Sequence, residues 1–407
     1  IVPIFAIRMN VSMNLSLNNT QNAFAYKSNT DLNKAKWLFT VIQNPWIVSL
    51  GTRFTPMLMK SGLPINGLIR STIFNQFVGG ETLEESARVT KMLGSYGVQV
   101  ILDYGVEAKE GDASFDEVTE QFIAAIEFAA TQDNVPFVSV KLTGLSSMHL
   151  LERLNDAPRL RSGIHDSESD DAAWNRLKER MYAICDVAET NGIGILIDAE
   201  ETWIQDPIDR LAIELMGVYN KEKAIVYNTY QLYRSDRLRF LELSHKIAAE
   251  GNFILGAKLV RGAYMEKERA RAEAMGYPSP IQTDKSATDA DFDAAVVYCL
   301  EHLDNIALIV ASHNEASNLK CAQMMQDKGL PNNHPHIHFS QLYGMSDHIS
   351  FNMASEGYQV SKYLPFGPLH DVIPYLMRRA QENSSVNGQT NRELLLIRQE
   401  IARRKAK

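Results

Sequence analysis

Cysteine is scarce in this chain. Its 407 residues include three, Cys185, Cys299 and Cys321. They are far apart and form no C-x-x-C pair, so the sequence contains neither a disulfide framework nor a thiolate metal site. An odd, scattered set points to reduced thiols in an intracellular compartment. Positive charge is also short: 41 Lys and Arg stand against 49 Asp and Glu, a net charge of −8. That balance argues against a nucleic-acid or acidic-membrane footprint. The basic end, Arg403-Arg404-Lys405-Ala406-Lys407, reads as a short solvated tail. No run of about 18 apolar residues occurs, so no membrane-spanning helix is expected. The first residues, IVPIFAIRM, are apolar but lack a basic flank and an A-x-A site, and so do not read as a signal peptide. Met9 and Met13 are equally good starting points for the chain. Finally, no strand–G-x-G-x-x-G–helix unit is present. Gly192-Ile-Gly194 opens a strand rather than a helix, which removes the usual dinucleotide fingerprint.

What is present is enough apolar residue, 45%, to bury a large core in one big domain with an appendage. Residues 1–30 read as a loosely ordered, Asn-rich lead-in. Residues 31–97 read as a helical arm: Trp37, Leu38, Val41 and Ile42 recur at helical spacing, and Thr82-Leu-Glu-Glu85 is a capping box after Gly79-Gly80. From residue 98 the pattern changes and repeats. VQVILDYGVE, FVSVKLTGL, GIGILIDAEE, AIVYNTYQ, FILGAKLVRGAY, IALIVASHN, HIHFSQLYG and QVSKYLPFG are apolar runs ending in polar residues, each followed by a helical stretch. Such strands with long crossovers indicate a parallel sheet covered by helices. Eight units predict an α/β fold, a (β/α)8 barrel over 98–390 with an N-terminal helical arm and a helical tail at 391–407. A doubly wound sheet is the alternative.

In a barrel, residues at the C-terminal ends of the strands converge on one mouth. Those positions hold Asp103, Lys141, Asp198, Glu200, Asn228, Gln231, Lys258, Arg261, His313, Asn314 and Tyr363, a polar, cation-rich set suited to an anion. After the last strand and its Gly-Pro turn, a helix carries Tyr375, Arg378, Arg379 and Glu382 at i, i+3, i+4 and i+7, on one face. Adjacent guanidinium forks beside an aromatic ring match a carboxylate in bidentate geometry. On a bare helix such a pair is more often a solvated face. Its place after a barrel strand favours function. Two chemistries fit the mouth. Asp198, Glu200 and His313 would ligate a metal in a barrel hydrolase, although the tract His334-Pro-His336-Ile-His338 enters its strand at the opposite end. Alternatively, a flavin or phosphate-bearing cofactor lies over the mouth. Lys258 would then be aimed at a ring nitrogen, Gly262 would allow close approach, and Asn228 and Gln231 would offer amides to a ring edge.

KLVRGAYMEKERA, ILIDAEE, VSVKLTGL, ASHN and YLPFGPLHDVIPYLMRRAQENSSV resemble, in order, the signature segments of the proline dehydrogenases, flavin-dependent (β/α)8 enzymes. The YNTYQ and KLVRGAY forms are similar to the monofunctional, mitochondrial-type members. The resemblance implies that Arg378 and Arg379 bind the carboxylate of L-proline, with Lys141 completing the cationic pocket. Tyr264, Tyr363, Tyr375 and Leu342 would wall its ring. Lys258, where many bacterial relatives carry Arg, would sit near flavin N5, and Asp198 would support it. Ala199, Asn228, Gln231, Val260, Arg261, Gly262, Ala263, Thr283, Lys285, Ser312, His313, Asn314 and Glu382 would line FAD. Met265 stands at a place often held by Trp. The implied reaction is hydride transfer from proline C5 to FAD, giving Δ1-pyrroline-5-carboxylate, with electrons passed to a quinone at a membrane surface. The product would go to a separate pyrroline-5-carboxylate dehydrogenase. The implied setting is cytoplasmic or peripheral on an inner membrane. Tyr363 would crowd the hydroxyl of 4-hydroxyproline, so proline is expected as the better substrate.

Overall fold

The computed structural model describes residues 15–44, 46, 48, 66–105, 109–156, 168–385 and 387–406. Eight strands follow the eight apolar runs: β1 (Gln99–Tyr104), β2 (Phe137–Val140), β3 (Gly194–Ile197), β4 (Val226–Gln231), β5 (Leu255–Val260), β6 (Ile306–Ala311), β7 (Ile337–Leu342) and β8 (Val360–Phe366). They close in sequence order into a parallel barrel, β8 pairing back onto β1 through Gln99 to Tyr104. The period-two alternation of a strand sorts their side chains. Val360, Leu364 and Phe366 join the core between strands and helices. Tyr363 instead joins Ile101, Phe137, Leu196, Tyr227 and Ile309 inside the ring. His338 also faces inward near the start of β7. It packs edge-on against Phe137 at 5.0 Å and lies 2.6 Å from Ser361 Oγ. Burial pushes its imidazole pKa down to about 3. It is therefore a neutral plug at the barrel bottom, the end at which the sequence places it.

A second core lies over the β7–β8 side of the mouth. It joins Phe24 and the arm residues Leu32, Phe39, Phe74 and Phe77 to Met345, to the helix Leu369–Ser385 and to the last helix, Asn387–Lys405. Hydrogen bonds to barrel carbonyls tie the arm to the barrel here. Gly79 N–H donates to Pro365 O at 2.8 Å, and Gln76 Nε2 donates to Gly344 O at 2.6 Å. Gly344 has φ +79°, and a Cβ there would lie 1.9 Å from Gln76 O, so only glycine fits.

Two expectations about the termini are corrected. Residues 15–30 are packed, not loose: Phe24 is fully buried, and Asn22 Nδ2 donates to Phe351 O at 3.0 Å and Asn352 Oδ1 at 2.9 Å. Arg403 and Arg404 are not a solvated tail. Both pair with the buried Glu400 at 2.8 and 2.7 Å, and Arg404 donates to Phe24 O at 2.9 Å, locking the two chain ends together. The helix that follows Thr82 spans Leu83–Gly94 and begins as its capping signal predicts. It packs through Leu93 into the main barrel core rather than into the arm.

Candidate active site

Inward parity brings Asp103, Lys141, Asp198, Lys258 and Tyr363 to one point at the mouth. Asp198, the residue after β3, lies between two ammonium groups: Lys258 Nζ is 2.5 Å from its Oδ1 and Lys141 Nζ 3.1 Å from its Oδ2. Tyr363 donates its hydroxyl to Asp198 Oδ2 at 2.7 Å and accepts from Lys141 at 3.2 Å. Lys141 also reaches Asp103 Oδ1 at 3.1 Å. Burial opposes ionisation of both carboxyls, and the surroundings decide each outcome. The two lysines hold Asp198 well below the usual carboxylate range. Asp103, with one lysine and with Asp198 as a like neighbour, is pushed up. Both lysines lie over the Tyr363 ring, 5.9 and 5.1 Å from its centroid. The result is a dry, pre-aligned cationic floor.

The arginine pair stands on the helix Leu369–Ser385, which follows β8. Arg379 is buried, its Cζ 5.3 Å from the centre of the Tyr375 ring, and its charge is among those that depress His313 at the end of β6. Arg378 is half-buried with its Cζ 5.9 Å from the ring of Tyr264, which lies beyond β5. Leu342, at the end of β7, packs against both the barrel interior and the second core. Glu382 falls in the same helix, and its side chain lies outside the described residues.

Beyond β4–β6 the other predicted residues divide. Gln231 donates from Nε2 to Glu200 O at 3.0 Å, while its buried Oε1 has no hydrogen-bond partner among the described residues. Gly262 adopts φ +137° with its absent Cβ 2.4 Å from the Tyr233 ring, which leaves the Gly262–Ala263 backbone exposed. Arg261 spans the loops, donating to Asp289 at 2.7 Å, Ser312 Oγ at 2.7 Å and Ser317 Oγ at 3.0 Å. Thr283 and Lys285 are exposed beside it, Lys285 paired with Asp289. Ala199 and Val260 line the rim, half-exposed. An unpartnered buried acceptor, an open glycine backbone and a run of cations fit a planar ring with an anionic tail.

Asn228 does not join them. One residue out of phase with Thr229 and Gln231, it faces away from the interior and donates to Asp209 Oδ1 at 2.9 Å on the helix Thr202–Tyr219. Asn314 is spent as a helix cap, accepting from Ala316 N at 2.9 Å. Glu200, a ligand in the metal alternative, has its carboxylate held by Thr143 N and Oγ1 at 3.1 and 2.6 Å. Sequence reasoning passed over Tyr233, which carries no motif, and Ser346, whose Oγ lies 2.9 Å from His313 Nδ1.

Comparison with known proteins assigns the chain to a family. The family model described as proline dehydrogenase matches residues 86–392. The carbapenem antibiotics biosynthesis protein CarD of Pectobacterium carotovorum subsp. carotovorum is 35% identical over 339 residues, 83% of this chain and 86% of that protein. The mitochondrial proline dehydrogenase 1 of Dictyostelium discoideum is 32% identical, covering 95% of this chain and 74% of its own length. Among solved structures, proline utilization A from Bdellovibrio bacteriovorus, inactivated by N-propargylglycine, aligns with a TM-score of 0.76 over 92% of this chain at 21% identity. That likeness speaks for the fold, and the chain spans 41% of that larger protein. The chain belongs to the proline dehydrogenase family of flavin-dependent oxidoreductases.

Proposed function

We propose that the protein oxidises L-proline to Δ1-pyrroline-5-carboxylate using FAD, with a quinone as final acceptor. The observation that supports this most is the adjacent pair Arg378 and Arg379, each over an aromatic ring on or facing the helix that follows β8, together with the Lys141–Asp198–Lys258–Tyr363 cluster at the mouth. Two adjacent forks suit a single small carboxylate, and Lys141 adds a third positive charge. Tyr264, Tyr375 and Leu342 supply apolar walls for a saturated ring. FAD, when bound, supplies the two-electron acceptor that takes the hydride from C5 and later passes electrons to the quinone.

The chain's own part is orientation and electrostatics. Asp198 fixes the Lys258 ammonium so that it can stabilise negative charge developing on a ring beside it. Gln231 Oε1 would accept from a ring edge, and Gly262–Ala263 would admit the ring face. Arg261, Lys285 and Ser312 would hold the anionic portion of the cofactor, with Thr283 and His313 beside them. The convergent cations also lower the pKa of the substrate's secondary amine, favouring the neutral form that releases hydride. The remaining partners follow from the chemistry: a quinone implies peripheral contact with an inner membrane, and the product implies a separate pyrroline-5-carboxylate dehydrogenase. Among the described residues no helix is long and apolar enough to cross a membrane. An intracellular setting accords with three buried thiols.

Tyr363, tied to Asp198 and Lys141, would crowd a ring hydroxyl. Proline should therefore be preferred to 4-hydroxyproline, and equal kcat/KM for both would overturn that preference. The test of the whole reading is reduction of the bound flavin by L-proline in the absence of oxygen. Oxidation of NADH in place of proline would refute it.

A further inference from the structure

The helix Met265–Met275, which follows β5 and the Gly262–Ala263 backbone, reads MEKERARAEAM and has no apolar stripe. Its buried residues are Ala272 and Glu268, the latter fully buried. Apolar packing therefore does not set where this helix lies, and its polar contacts do. Glu268 reaches Thr202, which opens the helix Thr202–Tyr219 shortly after Asp198. Its Oε1 accepts from Thr202 N–H at 2.7 Å and its Oε2 from Thr202 Oγ1 at 2.6 Å. Glu201, the N-cap of that helix, makes no side-chain cap. A carboxylate from the neighbouring helix caps it instead, at its positive end. Other contacts run along the same line: Lys267 pairs with Glu201, Arg271 pairs with Glu152, and both cations lie over the Trp203 ring at 5.5 and 4.4 Å. Lys267 is 56% exposed and Arg271 32%, so solvent screens both pairs. Glu268 makes the buried link.

Tyr264 stands immediately before this helix, and its carbonyl accepts from Glu268 N–H at 2.9 Å. One helical turn thus joins the Thr202 anchor to the ring that lies 5.9 Å from Arg378 Cζ. Upstream, the loop is pinned at Arg261, whose carbonyl accepts from Tyr233 N–H at 2.7 Å. We infer that Glu268 is a positioning residue: through Thr202 it holds the helix Met265–Met275, and with it Tyr264, in the place where that ring walls the substrate pocket beside Arg378. The carboxylate touches neither substrate nor cofactor and acts through the element that carries Tyr264.

The inference rests on the proline reading, and its test has two readouts that fail separately. Lys267, Arg269 and Arg271 place three trypsin sites in the helix, and trypsin cuts where the backbone has come away from the fold. Glu268→Ala should speed cleavage at these sites about tenfold, mapped by fragment mass. It should also raise KM for proline about tenfold with kcat within about twofold. Thr202→Val, the milder variant should Glu268→Ala fail to fold, should move both readouts the same way by about threefold. Added to Glu268→Ala, it should change neither further. Glu268→Gln keeps an acceptor for Thr202 N–H and turns a donor to its hydroxyl, so both readouts should return to near wild type. Glu152→Gln breaks only the half-exposed pair with Arg271 and should leave both within about twofold. Wild-type cleavage in Glu268→Ala overturns the inference, as does faster cleavage with lower kcat and unchanged KM, the mark of a merely structural role. If proline does not reduce the wild-type flavin, the proline reading falls, and the cleavage rates still decide whether Glu268 holds the helix.

Discussion

Replacing Asp198 by Asn tests the cationic floor. The wild-type carboxylate balances two ammonium groups, at 2.5 and 3.1 Å, and accepts from Tyr363 at 2.7 Å. All of these groups are buried, so solvent cannot restore the lost charge. Removing one partner of a buried ion pair leaves an uncompensated charge and costs about 3–5 kcal/mol, and the geometry here places Asp198→Asn in that range. Asp103 is the internal control. It pairs with one lysine, Lys141, at 3.1 Å, and burial already pushes its carboxyl upward, so Asp103→Asn should cost about 1–2 kcal/mol. Lys141→Met should partly rescue Asp198→Asn, because the double variant deletes one of the stranded charges. Its cost should fall short of the sum of the singles by about 1 kcal/mol or more. Urea unfolding with a common m-value is the assay. Equal costs for Asp198→Asn and Asp103→Asn, or strict additivity in the double variant, would refute the ranking of the two carboxylates.

Other consequences follow from the same geometry. Arg378→Met and Arg379→Met should each raise KM for proline by about tenfold or more through loss of a charge-assisted contact; unchanged KM in both would remove the carboxylate clamp. Gly262→Ala meets the Tyr233 ring at 2.4 Å and a φ of +137°, so it should lower flavin occupancy of the purified protein, read as the ratio of visible to protein absorbance. His338 predicts a pH effect. Its folded pKa of about 3 lies below the unfolded value of about 6.5, so the unfolded chain binds the extra proton and stability falls as pH drops through that window. At pH 5 the loss is about 2 kcal/mol relative to pH 8, and His338→Gln should remove it from urea midpoints measured at both pH values.

The barrel was legible because its strands are near-continuous apolar runs, and each run ends where a polar residue must face the mouth. Lys141, Asp198, Lys258 and Tyr363 converge as that logic requires. Asn228 misled for a related reason: it sits three residues before the end of β4, and period two turns it outward to Asp209. The packed N-terminus was hidden because Asn22 works through capping and side-chain hydrogen bonds, which leave no hydrophobic periodicity. Arg403 and Arg404 looked solvated because Glu400, the buried carboxylate that binds them, lies on the same helix at i−3 and i−4, a spacing common on exposed faces. Ser346 could not be found at all, since a left-handed serine has no sequence signature.

The measurement closest to the central claim is an anaerobic absorbance spectrum of the purified protein before and after L-proline is added. The account predicts a yellow protein whose flavin band bleaches with proline, and bleaches only at much higher proline when Arg378 and Arg379 are both Met. A colourless protein, a flavin band indifferent to proline, or a double variant that bleaches at the wild-type concentration would contradict it.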